Sequence, residues 1–303
     1  MMGQNIKAHL AIFFVNALYG AGHLIAKGVM PEYLSAASFI WLRVSSAVIL
    51  FWLLLSLKGL ERIAWKDVPH FIACGFFGVA LNQLCFFHGL ELSSAINSGI
   101  IMTLNPMIVL ILAAIFLREK ITVRKLFGIV LAAGGAIFLT LNGGSFSKDS
   151  IFGDLLLLIN ATSYAVYLII SKPLTQKYKP LTVITWVFTF GWFFVSAFPG
   201  AARGFFDVSW SSLPTMIWSK IIYIVLGITF LAYLMTIYAL KYLKASSTSS
   251  YIYFQPLFVI VFSYLFYYLS LTEDYTGAIT FSRIAAMMFI LFGVWLSTRE
   301  SYK

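Results

Sequence analysis

Residues 89–122 read GLELSSAINSGIIMTLNPMIVLILAAIFLREKIT, and residues 239–272 read ALKYLKASSTSSYIYFQPLFVIVFSYLFYYLSLT. The two stretches align at an offset of 150 residues: Ala95 falls on Ala245, Pro106 on Pro256, Phe116 on Phe266 and Thr122 on Thr272. Each opens with small polar residues, carries a proline inside an apolar run and ends in a turn. Earlier in each half a second echo runs at an offset of 145, pairing Tyr19 with Tyr164, Lys27 with Lys172 and Trp41 with Trp186. Together the echoes describe one unit of five apolar segments used twice. Internal repeats set the fold, and in membrane proteins paired halves mark many secondary transporters.

Hydrophobic residues make up 61% of the 303-residue chain and charged residues only 11%. A soluble domain has about a quarter of its residues charged, so this chain cannot cover a water-exposed surface. Composition places it in the membrane class. The net charge of +10 does not point to nucleic acid. The basic residues sit in short links between apolar runs, the distribution that the positive-inside rule describes. Cys74 and Cys85 share one apolar stretch, roughly 16 Å apart along a helix, too far for a disulfide. Both read as apolar fillers. The N-terminus carries no small-residue cleavage pattern, so residues 8–28 read as a retained first span.

Each apolar run approaches the roughly 20 residues that a helix needs to cross a bilayer core. The sequence predicts ten spans, at 8–28, 36–57, 68–89, 95–117, 124–141, 152–171, 181–199, 218–240, 246–269 and 278–297. The runs are too long and too uniformly apolar for barrel strands, so the expected class is an all-α polytopic membrane protein. The Gly/Ser/Asn-rich link 142–151 divides the chain into a first repeat, residues 1–145, and a second, residues 146–303. Segment 200–217, with Trp210 and Pro214, is expected to lie in part at the membrane interface. Among the 21 Lys and Arg residues, Lys27, Lys148, Arg203, Lys220 and Arg283 fall on one side and Arg43 lies inside span 2. The rest fall on the side of the N-terminus, which predicts cytoplasmic termini. Five spans per half bring the second unit in from the opposite face. The halves are therefore expected as inverted repeats about an axis in the membrane plane, the arrangement that underlies alternating access.

Polar groups inside spans are expensive and mark candidate sites. Asn16, Gly20, His23 and Lys27 share one face of span 1. That face either lines a cavity, with Asn16 or His23 meeting substrate or proton, or bonds to neighbouring helices. Arg43 has three readings: a clamp for a substrate carboxylate, a brace within the bundle, or a side chain snorkelling outward. Trp41 and its mate Trp186 read as wall residues that stack on substrate or pack. Asn82, Gln83 and His88 are polar at the outer half of span 3. Ser94, Asn97, Ser98 and Gly99 open span 4, and Asn105 precedes Pro106. Span 9 repeats this with Ser246–Ser250, Gln255 and Pro256. A proline frees a backbone carbonyl one turn earlier and permits a kink, so the paired prolines point to a central site.

Glu119, in the turn after span 4, is expected to pair with Arg118 or Arg124. Gly75 with Gly78, Gly128 with Ala132, and Gly134 with Gly135 read as helix-packing surfaces. No carboxylate lies deep in a span, and the sequence carries neither a phosphate loop nor a metal-ligand cluster. The reading is a carrier without a cofactor. The alternatives are a membrane enzyme acting on lipid and a non-transporting assembly protein. If protons drive the carrier, His23 and His88 are the titrating groups.

Four stretches carry a family resemblance: Asn16–Pro31 (NALYGAGHLIAKGVMP) with Trp41–Arg43, Leu92–Thr122, Gly128–Leu139 (GIVLAAGGAIFL) and Leu243–Phe266. With the ten-span duplicated layout they resemble the EamA-type family of the drug/metabolite transporter superfamily, over nearly the whole chain. The resemblance implies an inner-membrane carrier of small metabolites, often an exporter of amino acids or related compounds. It also implies a basket-like bundle whose cavity is lined by spans 1, 3, 4, 6, 8 and 9. The second repeat departs from the pattern with Leu269 at the turn glutamate, and span 10 opens with FSR in place of a glycine-rich helix. By the same resemblance Tyr164, Tyr167, Tyr233, Tyr238, Tyr253 and Gln255 face the cavity, which implies an amphipathic or aromatic substrate. The expected partners are that small molecule and the lipid bilayer, and the expected assembly is a monomer or a homodimer.

Overall fold

The computed structural model describes residues 2–26, 29–30, 32–92, 101–141, 151–268 and 281–298. Its regular secondary structure is helical throughout. The main helices are α1 (Met2–Ala26), α2 (Ala36–Lys58), α3 (Trp65–Leu92), α4 (Asn105–Phe116), α5 (Val123–Leu141), α6 (Ile151–Lys177), α7 (Pro180–Ser196), α8 (Thr215–Tyr242), α9 (Ala245–Tyr268) and α10 (Phe281–Thr298). Among the described residues, α2, α3, α6, α8 and α9 are each long and apolar enough to cross a membrane. Outward faces are apolar too: Ile49, Ile115 and Met288 are 67, 63 and 61% exposed. Soluble monomers rarely show such surfaces over large areas. The chain is an all-α polytopic membrane protein.

Helix ends follow local chemistry. The Ser35 hydroxyl caps α2 by accepting from Ser38 N at 3.3 Å, and Gly59, at φ 93°, ends it. Pro180 opens α7, where its missing N–H is harmless. Pro106 and Pro256 follow the same logic: in place of the paired kinks expected from sequence, each stands in the first turn after a break. Pro106 sits in the first turn of α4, and the chain breaks just before it, where Leu104 N bonds to Ile101 O at 3.0 Å. In α9 the helical start Ala245–Ser250 passes into a 3-10 turn at Tyr251–Tyr253 and resumes at Phe254. Pro256 therefore also lies in the first turn after a break. The 150-residue offset maps one break onto the other. It also carries the π-helical segment Phe76–Leu81 of α3 into the π-helical segment Tyr223–Leu231 of α8.

α2 and α7 pack antiparallel. Trp41 Nε1 donates to Ser196 Oγ at 3.0 Å, Trp192 Nε1 to Ser45 Oγ at 2.9 Å and Trp52 Nε1 to Thr189 Oγ1 at 2.9 Å. α5 and α10 are also antiparallel, with Gly128 against Gly293 and Gly135 against Ala286. A Cβ on Gly128 would lie 2.6 Å from the Gly293 carbonyl oxygen, so only glycine permits this approach. Gly75 meets Gly191 of α7, and Gly78 meets the Tyr167 ring of α6. Gly134 differs from the packing expectation: nothing lies within 4 Å of the place its Cβ would take. Segment 200–217 forms a short helix, Ala201–Phe206, and a 3-10 turn, Trp210–Ser212. Phe205 and Phe206 cover Trp41 at 4.7 and 5.6 Å between ring centroids. Cys74 and Cys85 are buried free thiols.

One end of the bundle is fastened by charge. Arg118 adopts φ 55° and turns the chain after α4. Glu119, one residue on, takes Lys125 as an ion-pair partner at 3.2 Å, where the sequence pointed to Arg118 or Arg124. It also caps α9: Oε1 accepts from Ala245 N at 2.9 Å and Oε2 from Ser246 Oγ. A carboxylate there satisfies an orphan N–H and complements the helix dipole. Both charged side chains are under 10% exposed. At the same end Lys172 of α6 donates to the carbonyls of Leu240 and Leu243, closing the C-terminus of α8. Lys177 and Tyr178 both bond to Asp67 at the start of α3.

Candidate substrate cavity

The helices bury two apolar clusters. One centres on Phe39, Phe51, Phe71 and Phe188; the other joins Ile12, Ile129, Tyr253 and Ile290. Between them lies a cavity of about 160 Å³, with Ile12 and Val15 on one wall and Ile224 and Ile228 on another. A dry apolar void of ~150 Å³ accepts benzene, so the space suits a small metabolite.

The repeat arranges the lining. Met102 and Ile252 are mates at the 150-residue offset, as are Asn105 and Gln255, while Tyr19 and Tyr164 are mates at the 145-residue offset; all six line the cavity. Met102 and Ile252 each stand four residues before a proline, so neither carbonyl can receive the usual helical N–H from that position. The helix breaks thus bring polar backbone and an amide side chain to the same place from both halves. Thr248, from the turn of helix capped by Glu119, also reaches the lining.

The polar side chains are mostly held by one another. Asn16 Nδ2 donates to Ile12 O at 2.7 Å, and its Oδ1 accepts from Gln255 Nε2 at 2.9 Å. Asn160 Nδ2 donates to Asn82 O at 2.7 Å, and Asn82 Nδ2 to Asn160 O at 3.4 Å, tying α3 to α6. Asn105 Nδ2 donates to Ala161 O at 2.7 Å, but its Oδ1 is buried without a partner. Gln83 is 3% exposed, and neither of its amide atoms has a partner in hydrogen-bonding geometry, although the Tyr233 hydroxyl lies near. Arg43, 4% exposed, donates from Nε to Thr229 Oγ1 at 2.9 Å. Its guanidinium carbon lies 4.9 Å from the Phe87 ring centroid and 5.6 Å from that of Phe39.

Of the residues singled out from sequence, Asn16, Tyr19, Arg43, Asn82, Gln83, Asn105, Tyr164, Tyr233 and Gln255 line this cavity. Others sit elsewhere for packing reasons. Trp41 braces α2 on α7, as above, and Trp186 stacks on Phe190 at 5.8 Å. His88 pairs with Glu91 at 3.5 Å near the end of α3. Pro106 is buried in the first turn of α4. Tyr167 is fully buried behind Gly78. The Tyr253 hydroxyl donates to Thr103 O at 3.1 Å, and the Tyr238 hydroxyl to Gln4 Oε1 at 2.9 Å. Asn97 lies outside the described residues, as do the side chains of His23 and Pro256. Sequence reasoning passed over Asn160 and Thr229. Their repeat mates are Val15 and Val79, so the echo gave no pointer, and only their polarity within apolar runs marks them.

Among the described residues no group of His, Cys, Asp or Glu is arranged to hold a metal. The described residues of the cavity lining include neither a carboxylate nor a nucleophile with an adjacent base. What it offers is a bounded space with a cation, several amides and apolar walls, which is equipment for binding a solute.

The profile of the EamA-like transporter family matches residues 6–141 and, separately, 151–299. The uncharacterized transporter YetK of Bacillus subtilis (strain 168) is 30% identical over 237 residues, 77% of this chain and 70% of that protein. An uncharacterized transporter of Archaeoglobus fulgidus is 24% identical over 304 residues, 99% of this chain and 100% of that protein. A probable terminal-alkyne amino-acid exporter of Streptantibioticus cattleyicolor is 24% identical over 208 residues, 68% of each. A crystal structure with 16% sequence identity shares the fold at a TM-score of 0.76, covering 97% of this chain and 98% of that one.

Proposed function

This chain belongs to the EamA-like transporter family of the drug/metabolite transporter superfamily and is a secondary transporter, not an enzyme; from that premise we propose that it exports small metabolites, above all amino acids or related amphipathic solutes. The membrane is the cytoplasmic one, with both termini inside. Ten spans in two inverted five-helix repeats, residues 1–145 and 146–303, alternate access to the cavity.

The observation that carries this reading is the cavity itself, lined by repeat mates from both halves. Packing supports the same arrangement. Thr103 and Tyr253 are mates, and they bond to each other. A residue that touches its own mate lies beside the axis relating two equivalent units. α2 and α7 are mates, as are α5 and α10, and both pairs run antiparallel, as an axis in the membrane plane requires. Support for amino acids and for export comes from the similarity to the amino-acid exporter of S. cattleyicolor.

The test is counterflow in sealed proteoliposomes with labelled amino acids, nucleosides and sugars, with and without a pH gradient. Saturable uptake of amino acids, competed only within that class, is the expected result. Saturable uptake confined to sugars or nucleosides overturns the substrate class. No saturable transport of any solute, by protein shown to be folded and inserted, overturns the carrier reading.

A further inference from the structure

Among the described residues, Arg43 is the one cation in the cavity lining, and none of them brings a carboxylate there to balance it. An arginine has five N–H donors in a planar fork. Here Nε is committed to Thr229, and Thr229 is itself fixed by donating to Ile224 O at 2.9 Å. The fork is held from behind by that bond and flanked by Phe39 and Phe87. Among the described residues no acceptor bonds to the two terminal nitrogens. A guanidinium so placed is oriented, desolvated and uncompensated. Ring faces attract a cation but do not neutralise it, and a buried charge calls for an opposite charge in good geometry.

Gln83 and Asn105 make a second, independent observation. Both are 3% exposed, and three of their amide atoms are buried without a partner: Nε2 and Oε1 of Gln83, and Oδ1 of Asn105. Native proteins rarely leave such groups unpaired. Two of the three are acceptors, so the cavity can receive N–H or O–H groups as well as an anion. The rest of the lining is largely aliphatic and aromatic, through Ile12, Val15, Ile224, Ile228 and Phe86.

We propose that the cargo is a small carboxylate whose anionic end docks in the fork of Arg43, with a hydrogen-bond donor on the Gln83 and Asn105 amide oxygens and an apolar tail against the isoleucine wall. The planar fork fits a carboxylate through two parallel hydrogen bonds, which a lysine in the same place cannot reproduce. The amide oxygens are neutral, so an ammonium on the cargo adds to binding without being required. The discriminating group is the carboxylate. This inference rests on the transporter reading above, because it treats the cavity as the cargo site.

Four probes of one shape separate the groups: L-leucine, 4-methylpentanoate, L-leucinamide and 3-methylbutylamine. Binding is measured by calorimetry on the purified full chain in lipid nanodiscs. The two carboxylates are expected to bind within about tenfold of each other, and the amide and amine at least tenfold more weakly. Arg43→Lys is expected to weaken both carboxylates at least tenfold, and Arg43→Gln to abolish their binding. Thr229→Val keeps the cation but loosens the fork, so a smaller loss is expected from it; this variant also serves if the Arg43 variants do not fold. Failure of both carboxylates to bind overturns the proposal, as does equal binding of the amide or survival of carboxylate binding in folded Arg43→Gln. Saturable transport of neutral solutes that is indifferent to Arg43 would sink this docking but leave the carrier. Carboxylate binding without any transport would leave the docking and sink the carrier.

Discussion

Asn16 shows how the cavity is held at the scale of one residue. Its amide donates back to Ile12 in its own helix and accepts from Gln255 in α9. Gln255→Leu removes the cross-helix bond and a polar group from the cavity wall. The expected stability loss is about 0.5–1.5 kcal/mol, the usual net worth of such a bond, read by thermal unfolding; the loss of transport is expected to be proportionally larger. Tyr167 gives the opposite expectation. Its hydroxyl is buried without a partner, and it stands behind Gly78, away from the cavity lining. Tyr167→Phe removes an unsatisfied group, so stability is expected to hold or rise by up to about 1 kcal/mol, with transport unchanged. A drop in transport alone would return Tyr167 to the site. Polarity inside an apolar run made Asn16, Arg43 and Asn105 legible from sequence. Aromatic residues are not legible in that way, because a tyrosine suits a cavity wall and a packed core equally. Tyr164 and Tyr167 lie one helical turn apart, and only the neighbouring helices decide that the first lines the cavity and the second does not.

At the scale of elements, the two broken helices were half visible. The paired prolines marked which helices break, but the break lies upstream of each. Proline is tolerated in a first turn, but it brings no N–H to the carbonyl four residues back, so the helical ladder is interrupted upstream, at Met102 and Ile252. The cap on the start of α9 was not visible at all, because Glu119 and Ala245 are far apart in sequence. Its consequence can be measured. Glu119→Gln keeps the shape and one acceptor but removes the charge that holds Lys125 and the helix start. The expected cost is about 1.5–3 kcal/mol, the range for hydrogen bonds to charged groups, seen as a lower unfolding temperature. No change in unfolding temperature would mean that the cap is ornamental.

For the whole molecule, composition alone was enough for the class, and the echoes are what point to a duplicated layout. Which helices touch was beyond them, since glycine pairs such as Gly128 with Gly293 come from different halves and different repeat positions. The proposed orientation is open to direct measurement. Cys74 and Cys85 are buried, so background labelling of the folded protein is expected to be low. Single cysteines placed at Lys66 or Lys241 are expected to resist a membrane-impermeant maleimide in intact cells, whereas cysteines at Arg203 or Lys220 are expected to react. The reverse pattern would invert the proposed topology.

The buried carboxylate of Glu119 fastens one end of the bundle, and its mate position in the second half is occupied by Leu269. In the proposed carrier of two inverted halves, a latch whose glutamate is not repeated is expected to make the two end states differ in free energy, so that one dominates at rest. Half-saturation concentrations measured from the two faces of the membrane are expected to differ. For an uncoupled carrier the ratio of maximal rate to half-saturation must nonetheless match in both directions, since no net flux can run at equal concentrations. Zero-trans influx and efflux in oriented vesicles would reveal the difference, and Glu119→Gln is expected to narrow it. Near-symmetry of architecture would thus coexist with a built-in kinetic asymmetry, set by a glutamate whose mate position holds a leucine.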